Sequence, residues 1–281
     1  MTVCSPQEPL MSFEVYIPFH PKDWDSLPAC LRGIRENVTG AGEIFVTGRS
    51  SERAAVETMG VRFLDEDAIV PGLPFASQSG QRWGWYFQQI LKLGIADICG
   101  TRYYLVVDSD TVFLKPTPIF NAAGKPFYGR SEDLYPPAAE TIRSMLGIPV
   151  DYTMSFIVHH MVFDRQVVEE IRNRLPGGPP WYACILDCRK NGTYFSEYET
   201  YGYYLKAFYP SEMEIRTLKW SDIASAPKSS LLPRLAKYYD YAAFHAYLRE
   251  ARNGPLHTAK VRFKIERRLI KYRLRDIFGG R

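Results

Sequence analysis

Five consecutive residues, Tyr103-Tyr-Leu-Val-Val107, are apolar or aromatic on both faces of an extended chain. A strand of this kind has no side to offer to water. It belongs in the middle of a sheet that is covered on both faces, which in practice means helices packed on a largely parallel sheet. The first third of the chain agrees. Phe13–Ile17 alternates as a strand, Pro21–Asn37 has helical spacing at Leu27, Leu31 and Ile34, and Glu43–Thr47 reads as a second strand. A short helix over Ser51–Met59 and a third strand over Val61–Leu64 complete a strand-helix repeat, so the fold class is α/β.

In such sheets ligands bind beyond the carboxyl ends of the strands. The residues just after the strands, His20, Gly48, Asp65 and Glu66, are therefore candidates, with His20 and Asp65 assigned to a bound donor. The central strand is the most informative, because it runs straight into Asp108-Ser109-Asp110. A tight bend about the serine can bring both carboxylates to one point, the alternative being a pair of turn aspartates that only cap the strand. Converging carboxylates repel unless a cation lies between them. A hard cation, Mn2+ or Mg2+, takes such oxygens and completes its shell with substrate phosphates. The expected site is thus a metal–diphosphate site, with Ser109 beside the donor.

Upstream, 82–96 reads as a helix. Trp83, Tyr86, Phe87, Ile90 and Leu93 share one face, and Trp85, Gln88, Gln89 and Lys92 share the other, which is either solvated or lines a cleft. Downstream, Met154–Phe163 reads as a strand followed by a helix over 165–175. His159 and His160 would then point to opposite faces, one into the core, and His160 is assigned to an acceptor pocket. Arg130 and Asp133 follow a predicted strand at Phe127-Tyr-Gly129 and are further acceptor candidates.

The block from Trp83 through Lys92-Leu93 to Asp108-Ser-Asp-Thr-Val-Phe-Leu114 resembles the corresponding region of nucleotide-sugar glycosyltransferases of the GT-A fold, in particular glycogenin-like and related bacterial sugar transferases. The resemblance implies a Rossmann-like mixed central sheet flanked by helices, in one domain over 12–255. It implies that Lys92, with Arg82 and Gln89 nearby, holds the donor sugar or its phosphates. It implies that Glu197 or Glu199, in Phe195-Ser-Glu-Tyr-Glu199, meets the reacting sugar, and that His245 in Phe-His-Ala-Tyr247 is a third metal ligand after Asp108 and Asp110. Ser196 also reads as a helix N-cap, and acidic residues suit that position without any catalytic role.

The remaining expectations follow from charge and cysteine content. The formal net charge is +4, yet residues 256–281 alone carry nine basic side chains against Glu266 and Asp276. The body is near neutral, which argues against a nucleic-acid partner. The segment reads as a basic amphipathic C-terminal helix, suited either to an anionic membrane surface or to packing on the domain. Residues 1–11 read as a flexible leader. Five cysteines without a CxxC pair read as reduced thiols of a cytoplasmic chain, possible zinc spacing being absent. The resemblance further implies transfer of a sugar, of the hexosyltransferase type, from a nucleotide donor (a UDP-sugar favoured) to a glycan or lipid-linked acceptor in bacterial surface polysaccharide synthesis, in the cytoplasm or peripherally on the inner face of the cytoplasmic membrane. A sugar nucleotidyltransferase and a catalytically inactive sugar-binding module are the alternatives. Against the first, the turn after the first strand reads Pro18-Phe-His-Pro21 and is not Gly-rich.

Overall fold

The computed structural model describes residues 12–80, 82–249 and Ile270. The leader expected over 1–11 and, but for Ile270, the basic helix expected over 256–281 lie outside the described residues. The first elements alternate as β1 (Phe13–Pro18), α1 (Leu27–Asn37), β2 (Ala41–Gly48), α2 (Arg53–Glu57), β3 (Arg62–Asp65), α3 (Glu66–Ile69), α4 (Trp83–Gly94) and β4 (Tyr103–Val107). There follow β5 (Thr111–Phe113), β6 (Phe127–Gly129), α5 (Pro136–Leu146), β7 (His160–Asp164), α6 (Arg165–Arg174), α7 (Ala183–Lys190) and α8 (Glu197–Phe208). The last are β8 (Glu214–Arg216), β9 (Trp220–Asp222), α9 (Leu232–Ala236), β10 (Tyr241–Ala243) and α10 (Ala246–Arg249).

The fold is a mixed α/β sheet flanked by helices. The main sheet has the order β3-β2-β1-β4-β7. β1 to β4 are mutually parallel, and β7 runs antiparallel to β4. Every residue of β4 is buried, and Leu105, Val106 and Val107 are wholly so. Each contributes roughly 1.5–3 kcal/mol of burial. Sequence order reverses between β1 and its neighbour β4, and a crevice opens beyond the carboxyl ends of strands at such a switch point. A second sheet, β5-β10-β9, joins the first through the turn between β4 and β5. β6 and β8 form a separate parallel pair.

Three sequence expectations need correction. The helix expected from Pro21 is a short 3-10 turn, Pro21–Asp23, followed by α1. Asp65 is not a free strand-end carboxylate: it caps α3, accepting from the Asp67 amide at 3.0 Å and from the Ser50 hydroxyl. The strand expected over 154–163 begins only at His160, because His159 sits at φ +65°, a left-handed conformation that no strand continues through. The preceding apolar residues, Phe156 and Val158, are buried in irregular backbone. Phe156 packs under α8 at Gly202, where a Cβ would come within 2.3 Å of its ring. A glycine there is a demand of packing.

Candidate active site

The turn after β4 is closed by the Thr111 amide on the Asp108 carbonyl at 2.9 Å, and the Asp108 amide bonds the His159 carbonyl at 2.9 Å. This fixes both carboxylates at the mouth of a cleft of about 320 Å³, lined among others by Asp23, Trp85, Lys92, Tyr194, Glu197 and Tyr198. Asp108 and Asp110 then part company. Asp108 faces the main sheet's helices: Lys92 Nζ lies 2.7 Å from its Oδ1, and the Tyr198 hydroxyl donates to the same oxygen at 3.2 Å. Asp110 faces the small sheet, with Oδ2 2.7 Å from His245 Nδ1.

Lys92 is buried and also lies 2.8 Å from Glu197 Oε1. Its ammonium stands 4.2 Å over the Tyr198 ring. Burial disfavours its charge, but Asp108 and Glu197 outweigh that and hold its pKa well above the ordinary lysine value. One ammonium serves two carboxylates unequally. Burial opposes ionisation of Asp108, yet Lys92 and His159 keep its carboxyl well below the usual range. For Glu197 burial prevails over Lys92 and the pKa goes up.

The imidazoles complete the site. His159, His245 and Asp222 offer one ligand atom each within 4.8 Å of one another. His245 Nε2 is 3.1 Å and His159 Nε2 3.9 Å from Asp222 Oδ1, while His159 Nδ1 is 3.4 Å from Asp108 Oδ2. Burial pulls the His245 pKa down, but Asp110 and then Asp222 drive it up to about 10. A cation held by the same groups would take the place of the proton that the two carboxylates favour on His245. Two observations favour such a cation. His159 Nε2 is buried with no hydrogen-bond partner among the described residues, and Asp23 Oδ1 is likewise buried and unpartnered at the edge of the cleft. Asp108, Asp110, His159, Asp222 and His245 make a mixed oxygen–nitrogen set suited to a divalent first-row ion.

The sequence-assigned residues separate. Asp108, Asp110, Lys92, Gln89, Ser109, Glu197 and His245 all line the one cleft. Gln89 acts as a support there: its Oε1 accepts from the Glu197 amide at 3.0 Å and its Nε2 donates to the Trp85 carbonyl. Ser109 donates to Asp23 Oδ2 at 2.8 Å. His20 lines a neighbouring pocket of about 150 Å³ with Arg49, Glu66, Phe75, Trp85 and Gln88. Besides His20, six residues lie outside the cleft, one of them Asp65, the cap of α3. Glu199 is fully buried, accepting from the Ser155 hydroxyl at 2.6 Å and the Phe156 amide at 3.0 Å. His160 is a core histidine against Phe113 and Tyr241, pushed down to about 3 by burial and then by Arg216. Arg130 donates to Thr217, Asp133 is exposed on the same side, and Arg82 is exposed at the start of α4 with φ +60°.

Asp23, His159, Tyr194, Tyr198 and Asp222 were not assigned from sequence. Asp222 ends a three-residue strand without any motif. His159 carried a signal, its adjacency to His160, but choosing between them required the backbone twist at His159.

Residues 50–232 match the model of a family described as "Family of unknown function (DUF6492)". No curated protein matches the sequence. Solved structures similar in outline include mouse xyloside xylosyltransferase 1, at 8% identity and TM-score 0.48 over 85% of this chain and 99% of that one. The bifunctional glycosyltransferase WbbM matches at 14% and 0.49 over 86% and 47% of the two chains. The galactosyltransferase LgtC, solved with donor and acceptor sugar analogues, matches at 13% and 0.45 over 92% and 96%. Identities this low with TM-scores below 0.5 describe an outline and say nothing about chemistry.

Proposed function

We propose that this chain, which belongs to the family of unknown function DUF6492, is a metal-dependent glycosyltransferase of the GT-A type that takes a nucleotide-diphosphate sugar, UDP favoured, and passes the sugar to a glycan or lipid-linked acceptor. One observation carries the reading. At the carboxyl end of the central buried strand, Asp108 and Asp110 meet His245, His159, Lys92 and Glu197 in a single cleft, with Asp222 against the two imidazoles.

A cation bound there would offset the charge of the diphosphate and stabilise it as a leaving group. Asp108, Asp110, His159, Asp222 and His245 would hold it. Lys92 has three donors, and Asp108 and Glu197 engage two of them, leaving one for an oxygen of the donor. Glu197 is the carboxylate set to meet the reacting sugar, since it lines the cleft where Glu199 does not. In the transfer the acceptor oxygen bonds to the anomeric carbon as the bond from that carbon to the diphosphate oxygen breaks, and the acceptor's hydroxyl proton passes to Glu197 or to the departing diphosphate. The adjoining pocket at His20, Arg49 and Phe75 would take the nucleoside. The same reading puts the protein in the cytoplasm, with the basic segment 256–281 on an anionic membrane face. Its support is the charge pattern of that segment and the free, buried state of Cys30, Cys99, Cys184 and Cys188.

Calorimetry with UDP, GDP and CDP, in Mn2+ and then in EDTA, tests the reading. The expected result is at least tenfold weaker nucleotide binding with chelator, about 1.4 kcal/mol. Equal affinity in both would mean that the carboxylates do not face the diphosphate.

A further inference from the structure

Three aromatic rings run out of the cleft in a row. Trp85 and Tyr194 line its wall, with ring centroids 4.7 Å apart and planes at 36°. Tyr135 continues the row at 4.2 Å from Tyr194 and 53°, and it is 41% exposed. Large rings at a surface are usually loosely held, but these are braced from below. The buried Tyr86 packs edge-on to Trp85 at 4.8 Å and donates its hydroxyl to the Thr193 carbonyl at 2.6 Å, which fixes the residue before Tyr194. The Tyr152 hydroxyl holds Tyr135 at both its amide and its carbonyl. Pro136 and Pro137 then start α5 directly. Holding the half-buried Trp85 and Tyr194 and the exposed Tyr135 still on two independent supports does more than extend the core. It does lower the ordering cost of a ligand that lies on them.

Resting on the glycosyltransferase reading above, we propose that Trp85, Tyr194 and Tyr135 form the acceptor subsite and that the acceptor presents a carbohydrate to it, with at least one pyranose ring stacked on Tyr194 and Tyr135. The chemistry of the row selects this class. A pyranose has an apolar C–H face and a rim of hydroxyls. Each ring here offers an apolar face and a polar edge. Among the described residues, neither the Trp85 indole N–H nor the Tyr194 hydroxyl has a protein hydrogen-bond partner. A nucleobase would want one flat slot, whereas successive tilts of 36° and 53° make a staircase that follows a puckered, bent glycan. An alkyl chain would want a continuous apolar trench without polar edges. The row also begins at Trp85, which lines both the cleft and the pocket assigned to the nucleoside. A sugar on Tyr194 therefore sits next to the donor without displacing it.

Saturation-transfer NMR on the full chain with UDP and Mn2+ tests this, with lactose, cellobiose and maltose as probes and n-octanol and uridine as rivals. Transfer to pyranose ring protons is expected. Tyr135→Ala and Tyr194→Ala should each weaken the saccharide at least about tenfold. Tyr135→Ala, at an exposed position, should keep the fold by circular dichroism and change UDP affinity by less than about twofold. The proposal is overturned if no disaccharide contacts the protein, if saccharide binding survives both substitutions, or if octanol or uridine occupies the row instead. Loss of cation-dependent UDP binding in the wild type would instead bring down the glycosyltransferase reading, so the two failures are distinguishable.

Discussion

Replacing Lys92 with Met removes one buried charge and exposes the conflict it resolves. The ammonium sits 2.7 Å from Asp108 and 2.8 Å from Glu197. The two carboxylate oxygens can therefore be no more than about 5.5 Å apart, and at an effective dielectric near 20 their repulsion is about 3 kcal/mol. Breaking a buried ion pair from one side typically costs about 3–5 kcal/mol, and the Lys92→Met variant should fall in that range at pH 8. The pH dependence has a definite sign. Glu197 has a folded-state pKa raised by burial, so its contribution is full below the ordinary glutamate pKa and is lost as pH rises through the folded value. Without Lys92 that folded value rises further, and the penalty should be largest at pH 8 and shrink towards pH 5. Adding Glu197→Gln should restore at least about 1.5 kcal/mol, since one of the two opposing charges is gone. Urea unfolding followed by far-UV circular dichroism at both pH values measures all of this. A loss under about 1 kcal/mol at pH 8, a penalty that does not depend on pH, or a double variant no more stable than the single one would refute the reasoning.

Asp110→Asn keeps the shape of the side chain but removes a charge from the proposed cation site. It should leave the far-UV spectrum unchanged and make nucleotide affinity insensitive to Mn2+, as read by calorimetry. Gly202→Ala puts a methyl group into the Phe156 ring, within 2.3 Å of its nearest atom, and should cost about 1–3 kcal/mol in urea unfolding. The Glu66 carboxyl is pushed up from 4.5 to about 7, mainly by burial. Its contribution is full below pH 4.5 and lost through pH 7, so Glu66→Gln should flatten the decline in stability between pH 5 and pH 8 by up to about 3 kcal/mol.

The main sheet was legible wherever a strand or helix owes its form to its own pattern. β4 declares itself by five apolar residues, and α4 by the separation of Trp83, Phe87 and Ile90 from Gln89 and Lys92. Sequence patterning misleads where burial and regular backbone part company, as at Phe156 to His159, an apolar run that packs densely without pairing as a strand. The cleft was legible in so far as its groups lie close in sequence to a strong strand, as Asp108 and Asp110 do. Glu197 and Glu199, two residues apart at a helix start, gave no basis for choosing between them. Only the packing of α8 decides that one meets Lys92 and the other Ser155. Asp222 could be found only through the parallel pairing of β9 with β10, which aligns it with Ala243, two residues before His245.

The seam between the two sheets also has a consequence in time. Asp108 and Asp110 stand where the chain leaves the large sheet, whereas His245 follows the last strand of the small one, 135 residues beyond Asp110. During synthesis the large sheet and its carboxylate turn emerge first, with Asp222 and His245 still to come. The growing chain therefore holds Asp108, Asp110 and His159 while the second imidazole, that of His245, has yet to be made. Late arrival of β9 and β10 brings Asp222 and His245 to the carboxylate turn in one event.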